Sequence, residues 1–322
     1  MDGTKISHDG PGNLRRADAA GIAAAARLLA AGGTVAVPTE TVYGLAARAD
    51  DDAAVAGIYR AKGRPDFNPL IVHVPDAVAA RALAAFDDRA EALAAAFWPG
   101  ALTMVLPRLP GAPLAMAVSA GLPTVALRCP AHPVMQALLR ESDLPLAAPS
   151  ANRSGAVSPT SAAHVRASLG DRVGLILDGG ETAQGIESTI VGLRADGSWA
   201  ILRPGPIEEA RIAAVLGEEH AGRARDRDGI EAPGQLASHY APGKPVRLDA
   251  PDAEPDEFLI GFGAVAGDVS LSRAGDLAEA AARLYACLHL AADDARPRIA
   301  VAPIPDRGIG VAINDRLRRA AA

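Results

Sequence analysis

Apolar positions in this chain fall into short runs separated by polar or Gly/Pro-rich breaks, and their spacing switches repeatedly between helical and strand-like periods. Asp18 to Ala31 is Ala/Leu-rich with Arg27 interrupting it, and Gly32-Gly33 supplies the stop that a helix C-terminus favours. Thr34 to Pro38 then reads as a short buried strand, ended where proline removes a ladder donor. The pattern predicts a helix over Asp52 to Ala61, a strand over Pro69 to Val74, and helix over Asp76 to Phe97 with a break near Phe86-Asp87-Asp88. Further strands are predicted at Leu102 to Leu106, Thr124 to Arg128, Leu175 to Leu177, Ser188 to Gly192 and Trp199 to Leu202. Helices are predicted at Pro133 to Arg140, Ser161 to Leu169 and Glu208 to Leu216.

This alternation predicts an α/β fold: a catalytic domain over residues 1–207 built on a twisted mixed sheet. From Gly217 to Gly243, charges, Gly and Pro replace the apolar periodicity, so 208–245 reads as an interdomain linker. A second pattern begins at Val246, with strand-like Phe258 to Ile260, a helix from Leu277 to Ala292, strand-like Ile299 to Ala302 and a last helix from Val311 to Ala320. Residues 246–322 are therefore expected to form a small Rossmann-like α/β domain. No fixed-period repeat is visible, which disfavours a solenoid.

With 322 residues, 49 % of them hydrophobic, the chain can fill one large and one small core. A formal charge of −6 argues against a surface devoted to coating polyphosphate, although a local basic pocket is compatible with it. Cys129 and Cys287 are far apart and lack zinc-site spacing, so neither a disulfide nor zinc is expected and a reducing cytoplasmic compartment is the simplest reading. Met1 to Gly12 has no apolar core of a leader, and the Ala-rich runs are broken by charge before reaching membrane-span length, so no membrane association is expected.

Four polar stretches interrupt the pattern. Pro38-Thr39-Glu40-Thr41-Val42-Tyr43-Gly44-Leu45 follows a strand, where hydroxyls and a carboxylate could receive a small polar ligand or simply close a turn. In Lys62-Gly63-Arg64-Pro65-Asp66-Phe67-Asn68-Pro69-Leu70 a point charge and a planar fork flank a glycine, which suits a polyphosphate or two solvated cations near a helix end. Ala147 to Gly155 with Ser158-Pro159-Thr160 is a poor core and a good polar cradle, and its end equally suits a helix cap. Gly185-Ile186-Glu187-Ser188-Thr189-Ile190-Val191 adds a hydroxyl pair at a strand start. Arg128 and Arg203 end strands, and Arg128 could clamp a carboxylate or pair with an internal acid such as Glu40. His73 interrupts an apolar strand and needs a partner. No Gly-x-x-x-x-Gly-Lys-[Ser/Thr] sequence is present, and Gly261 to Ala266 nearly fits a dinucleotide fingerprint but lacks the helix that should open after it.

Taken together these stretches, in their order, with Phe97-Trp98-Pro99-Gly100, the linker run Ser238-His239-Tyr240-Ala241-Pro242 and the tail Gly308 to Leu317, resemble the YrdC-like family in its longer two-domain form, the threonylcarbamoyl-AMP synthases. Ala101 in place of a common Pro, and Ala46 to Arg48, depart from the family pattern without removing a presumed ligand. The resemblance implies that Thr41, His73, Arg128, Ala148 and Ser188 surround L-threonine. It implies that Lys62, Arg64, Asn68, Thr124, Ser150, Asn152, Ser158 and Arg203 face ATP or its Mg²⁺, and that Tyr240 on the linker folds back over the nucleotide as a lid. The implied reaction joins L-threonine, bicarbonate or CO₂, and ATP into threonylcarbamoyl-AMP with release of pyrophosphate, for threonylcarbamoyl-adenosine formation in tRNA. Lys62, Arg64, Arg203 and a Mg²⁺ held mainly through the ATP phosphates would neutralise charge, and tRNA or the proteins that modify it would receive the intermediate. An RNA-binding module using the same basic concavity is the alternative. Net charge −6 and 3 % aromatic residues weaken it. An NAD-dependent reading resting on Gly261 to Ala266 ranks last.

Overall fold

The computed structural model of the protein describes residues 12–64, 68–217, 221–223, 231–234 and 239–322. Pro65-Asp66-Phe67 of the second stretch, and 218–220, 224–230 and 235–238 of the expected linker, Ser238 among them, lie outside the described residues.

The first part of the chain builds one mixed sheet. Its early elements are β1 (Leu14–Arg16), α1 (Ala19–Ala30), β2 (Val35–Pro38), β3 (Tyr43–Arg48), α2 (Asp52–Lys62), β4 (Ile71–His73), α3 (Ala77–Arg81) and α4 (Asp88–Phe97). There follow β5 (Leu102–Pro107), α5 (Met116–Ser119), β6 (Thr124–Arg128), α6 (Pro133–Ser142), β7 (Leu146–Ala147) and α7 (Ala162–Leu169). The sheet is completed by β8 (Leu175–Asp178), β9 (Thr189–Leu193), β10 (Trp199–Arg203) and β11 (Ala221–Arg223), with α8 (Glu209–Leu216) before the last. Helix starts are set by side chains: the carboxylates of Asp18, Asp51, Asp76 and Asp87 each accept a first-turn N–H.

The strand order is β1-β8-β2-β3-β7-β4-β6-β5-β9-β10-β11, with parallel and antiparallel pairs interspersed. Most predicted elements are present, and the additional ones have clear causes. Pro38 to Leu45, read as a turn, is a turn only at 39–42; Tyr43 already starts β3, an antiparallel partner of β2 with Gly44 opposite Val37. β1 is a polar edge strand whose sole partner among the described residues is β8, and β7 is two residues long, so neither carries an apolar run.

A second sheet holds β12 (Val246–Arg247), β13 (Glu257–Gly261), β14 (Val269–Ser270) and β15 (Arg298–Val301) in the order β12-β15-β13-β14, all parallel. It packs with α9 (Leu277–Asp293) and α10 (Gly310–Ala320). Gly261 to Ala266 turns from β13 towards β14, and no helix opens until Leu277, so the dinucleotide reading falls. Val42, Val157, Ile186 and Tyr240 join the core beneath this second sheet, so the two parts of the chain share an apolar contact.

Candidate active site

A cleft collects the turn after β2, the ends of β4, β6 and β10, the loop after β7, the approach to β9 and two pieces of the linker. Nine of the residues expected at the site line it: Thr41, Arg64, His73, Arg128, Ala148, Ser150, Ser188, Arg203 and Tyr240.

The amino-acid end is built on the 39–42 turn. Thr39 closes it by donating its hydroxyl to the Val42 carbonyl at 2.7 Å, and its oxygen lies 2.8 Å from the Thr41 hydroxyl. Arg128 donates from Nη1 to Thr41 Oγ1 at 2.9 Å, from Nη2 to Glu40 Oε1 at 2.6 Å and from Nε to the Gly100 carbonyl at 3.2 Å. Of its five donors three are engaged, which leaves two for a ligand carboxylate. Burial pulls against the Glu40 charge, but Arg128 and the Ala131 N–H hold its carboxyl below the ordinary range. His73 is fully enclosed beside Arg128, and burial first, then that cation, push its imidazole down to about 3. It is therefore a neutral ring, and its Nδ1 has no partner.

The cationic end depends on how α2 stops. Gly63 takes a left-handed conformation (φ +61°) as the cap, so Lys62 and Arg64 both turn inward. Lys62 is buried and donates to the carbonyls of Ser150 and Asn152, both at 2.6 Å. Burial, then the nearby Arg64, lower its pKa well below the ordinary value. Arg64 donates to the Pro69 carbonyl at 3.1 Å, and burial lowers it to about 10. Arg203 donates to the Ser188 carbonyl and hydroxyl, each at 3.1 Å, and Ser188 Oγ also lies 2.8 Å from Thr103 Oγ1. Lys62 thus organises the third stretch.

Asn152 sits outside the cleft lining but behind Lys62, donating to the carbonyls of Arg153 and Ala156 while its Oδ1 stays unpartnered. Ser158 is fully buried and donates to Glu187 Oε1 at 2.5 Å, so its hydroxyl faces that carboxylate. Asn68 accepts through its backbone, and its Oδ1 is also unpartnered. Thr124 shares a face of β6 with Arg128 but lies at the strand's other end, about 13 Å away at the usual rise. That places it beyond the lining.

Linker residues close the cleft. Ala232 packs on the apolar sheet face made by Ile71, Ala126, Ile190 and Leu202. Gly234 (φ +87°) passes so near that an added Cβ would lie 3.0 Å from Arg203 Cδ and 3.1 Å from the Tyr240 hydroxyl. Tyr240 is buried with a left-handed backbone (φ +64°), and its hydroxyl has no partner. Six of the twelve buried side-chain polar atoms without a partner among the described residues belong to this one region: Arg64 Nε, Asn68 Oδ1, His73 Nδ1, Asn152 Oδ1, His239 Nδ1 and the Tyr240 hydroxyl. Such atoms are rare and costly in a folded protein, so their concentration marks a place shaped for a polar ligand.

Sequence reasoning gave no role to Glu187, Thr103, Tyr285 or Arg316. Glu187 accepts from Tyr285 at 2.7 Å and from Arg316 Nε at 2.9 Å, joining the first domain to α9 and α10. Burial would raise its pKa, yet Arg316 and Arg203 hold it down to about 2. A charged residue between Ile186 and two hydroxyls was the available signal.

A mixed-sheet domain with a cation- and hydroxyl-lined cleft, roofed by a linker that leads into a second parallel sheet, defines an α/β protein made to enclose a small anionic ligand. The chain belongs to the Sua5/YciO/YrdC family: that family model, described as telomere recombination, matches residues 27–205, and the model of the threonylcarbamoyl-AMP synthase C-terminal domain matches 207–322. It is 42 % identical to a threonylcarbamoyl-AMP synthase of Bacillus subtilis, over 93 % of this chain and 92 % of the relative. Pyrococcus abyssi Sua5, solved complexed with L-threonine, superposes with a TM-score of 0.85 at 35 % identity over 96 % of each chain. Escherichia coli YciO, at 22 % identity and TM-score 0.51, shares the fold over 58 % of this chain and 90 % of its own.

Proposed function

We propose that this chain condenses L-threonine, bicarbonate or CO₂, and ATP into threonylcarbamoyl-AMP and pyrophosphate. The observation that carries the reading is the group of unpartnered buried donors and acceptors beside Lys62, Arg64 and Arg203, in a chain whose full-length relatives are named as synthases of that product. The neutral threonine amine adds to carbon dioxide and gives up a proton to solvent, or condenses with bicarbonate with loss of water, to form a carbamate whose oxygen then attacks the α-phosphorus while pyrophosphate leaves. That nucleophile is already anionic, so the protein's task is to position it and offset charge rather than to remove a proton. The two free donors of Arg128, with Thr41, suit the threonine carboxylate; neutral His73, Ala148 and Ser188 enclose the rest. Lys62, Arg64 and Arg203 face the phosphates, with Ser150, Asn152, Asn68, Thr124 and Ser158 along the nucleotide and Tyr240 above it.

Among the described residues no three His, Cys, Asp or Glu side chains converge as a metal cage, and Glu40 and Glu187 are already engaged. The unpartnered amide oxygens of Asn68 and Asn152 fit Mg²⁺ that keeps its waters and is held mainly by ATP. Bound there, the ion supplies charge screening on the phosphates. The product would pass to tRNA or to proteins that modify it, in a cytoplasmic setting. Among the described residues no helix is long and apolar enough to cross a membrane. The RNA-binding alternative finds less support: the cleft's one tyrosine is already packed by His239, Tyr285 and Arg316, so it offers no open stacking platform.

The test is pyrophosphate release with each substrate omitted in turn. Release is expected only when threonine, bicarbonate and ATP are all present. Retention of RNA with steep salt dependence and no ATP consumption would overturn the reading.

A further inference from the structure

Two side chains of the second domain, Tyr285 and Arg316, converge on one carboxylate of the cleft. Glu187 Oε1 accepts from Ser158, on the first domain, while Oε2 accepts from Tyr285 of α9 and Arg316 of α10. Both of the latter are fully buried, and Arg316 also stands over the Tyr240 ring, 5.4 Å from its centroid. Gly185, two residues before Glu187, lies against α9 so closely that a Cβ would meet the Ala282 carbonyl at 2.3 Å. The segment carrying Glu187 is thus pressed between the cleft and the second domain.

A buried carboxylate here raises a chemical problem. Lys62, Arg64 and Arg203 are the cations the proposed reaction needs for phosphate, and an unpaired Glu187 would compete for them. Arg203 in fact donates to Ser188 and to the Pro233 carbonyl, not to Glu187, while Arg316 Nε donates to the carboxylate. We propose that Arg316, seconded by Tyr285, is a positioning residue for ATP: it holds Glu187 on the second domain's side, leaving Arg203 free for the nucleotide and Tyr240 seated above it. The second domain thereby completes the nucleotide half of the cleft. This inference rests on the ATP-dependent reading above.

Steady-state pyrophosphate release separates the possibilities, using the full chain and the variants Arg316→Met, Arg316→Lys, Glu187→Gln and Arg316→Met with Glu187→Gln. Arg316→Met is expected to raise the KM for ATP on the order of tenfold, with the KM for threonine nearly unchanged. Arg316→Lys should recover most of the loss. In the Glu187→Gln background Arg316→Met should add little, because the carboxylate it restrains is gone. If Arg316→Met does not fold, Tyr285→Phe, which deletes one hydrogen bond to the same carboxylate, should still raise the ATP KM by roughly threefold. Equal effects on both substrates, additive effects in the double variant, or an unchanged ATP KM in the folded single variants would overturn the proposal. A wild-type protein that releases no pyrophosphate would instead sink the reading beneath it.

Discussion

Arg128 and Glu40 form a buried pair, Nη2 to Oε1 at 2.6 Å, and the second carboxylate oxygen accepts the Ala131 N–H at 3.1 Å. The sequence allowed Arg128 to clamp a ligand or to pair with an internal acid; the geometry permits both, since the pair fixes the guanidinium while two donors stay open. Glu40→Ala leaves that guanidinium buried without its counter-charge. The variant is expected to lose about 3–5 kcal/mol of stability, read by urea denaturation. Its threonine KM should rise more than its ATP KM. Unchanged stability would mean that the pair contributes no net energy.

Lys62 is buried with two carbonyls on its ammonium, so its removal affects both charge and the third stretch. Lys62→Ala should lower pyrophosphate release by about two orders of magnitude or more while the circular dichroism spectrum stays native. Turnover at the wild-type rate in a folded Lys62→Ala protein would remove Lys62 from the catalytic assignment.

How far these sites were legible depends on distance along the chain. Strand β6 is found at its predicted limits, because Val125-Ala126-Leu127 is apolar and Arg128 closes it. The hairpin partner β3 was hidden by Gly44, which the pattern reads as a turn; in the strand an added Cβ there would lie 3.2 Å from that of Ala148, a tight approach. Arg316 stands within one turn of Arg318 and Arg319 near a helix end, where cations are ordinarily solvated. Only the docking of α10 on the first domain buries it against a glutamate 129 residues away. Short-range chemistry such as the Gly63 cap is written locally, whereas partners supplied by another domain are not.

Tyr240 offers a test of the lid. Its hydroxyl is buried without a partner, which costs stability unless a ligand satisfies it. Tyr240→Phe should therefore be as stable as wild type or more so, by roughly 1 kcal/mol. It should also bind ATP about tenfold less tightly by calorimetry. A variant that is less stable and binds ATP normally would place the hydroxyl in the fold rather than in the site.

Acid sensitivity follows from the buried imidazoles. His73 has its pKa pushed from 6.5 to about 3, and His239 likewise to about 3, burial being the leading cause in each. The folded protein then binds fewer protons than the unfolded chain below pH 6.5, so stability must fall as pH drops from there towards 3. Each such ring contributes a slope of about 1.4 kcal/mol per pH unit well below 6.5. Glu187 adds the same sign lower down, its stabilisation being lost from the ordinary 4.5 to about 2. Between about pH 6 and pH 5, where the Glu187 carboxylate does not yet titrate in either state, the histidines dominate. His73→Asn is expected to flatten the stability profile in that interval, measured by urea denaturation at several pH values. A variant whose slope equals that of wild type would mean that His73 is already protonated in the folded protein, and the neutral ring assigned to the amino-acid end of the cleft would have to be withdrawn.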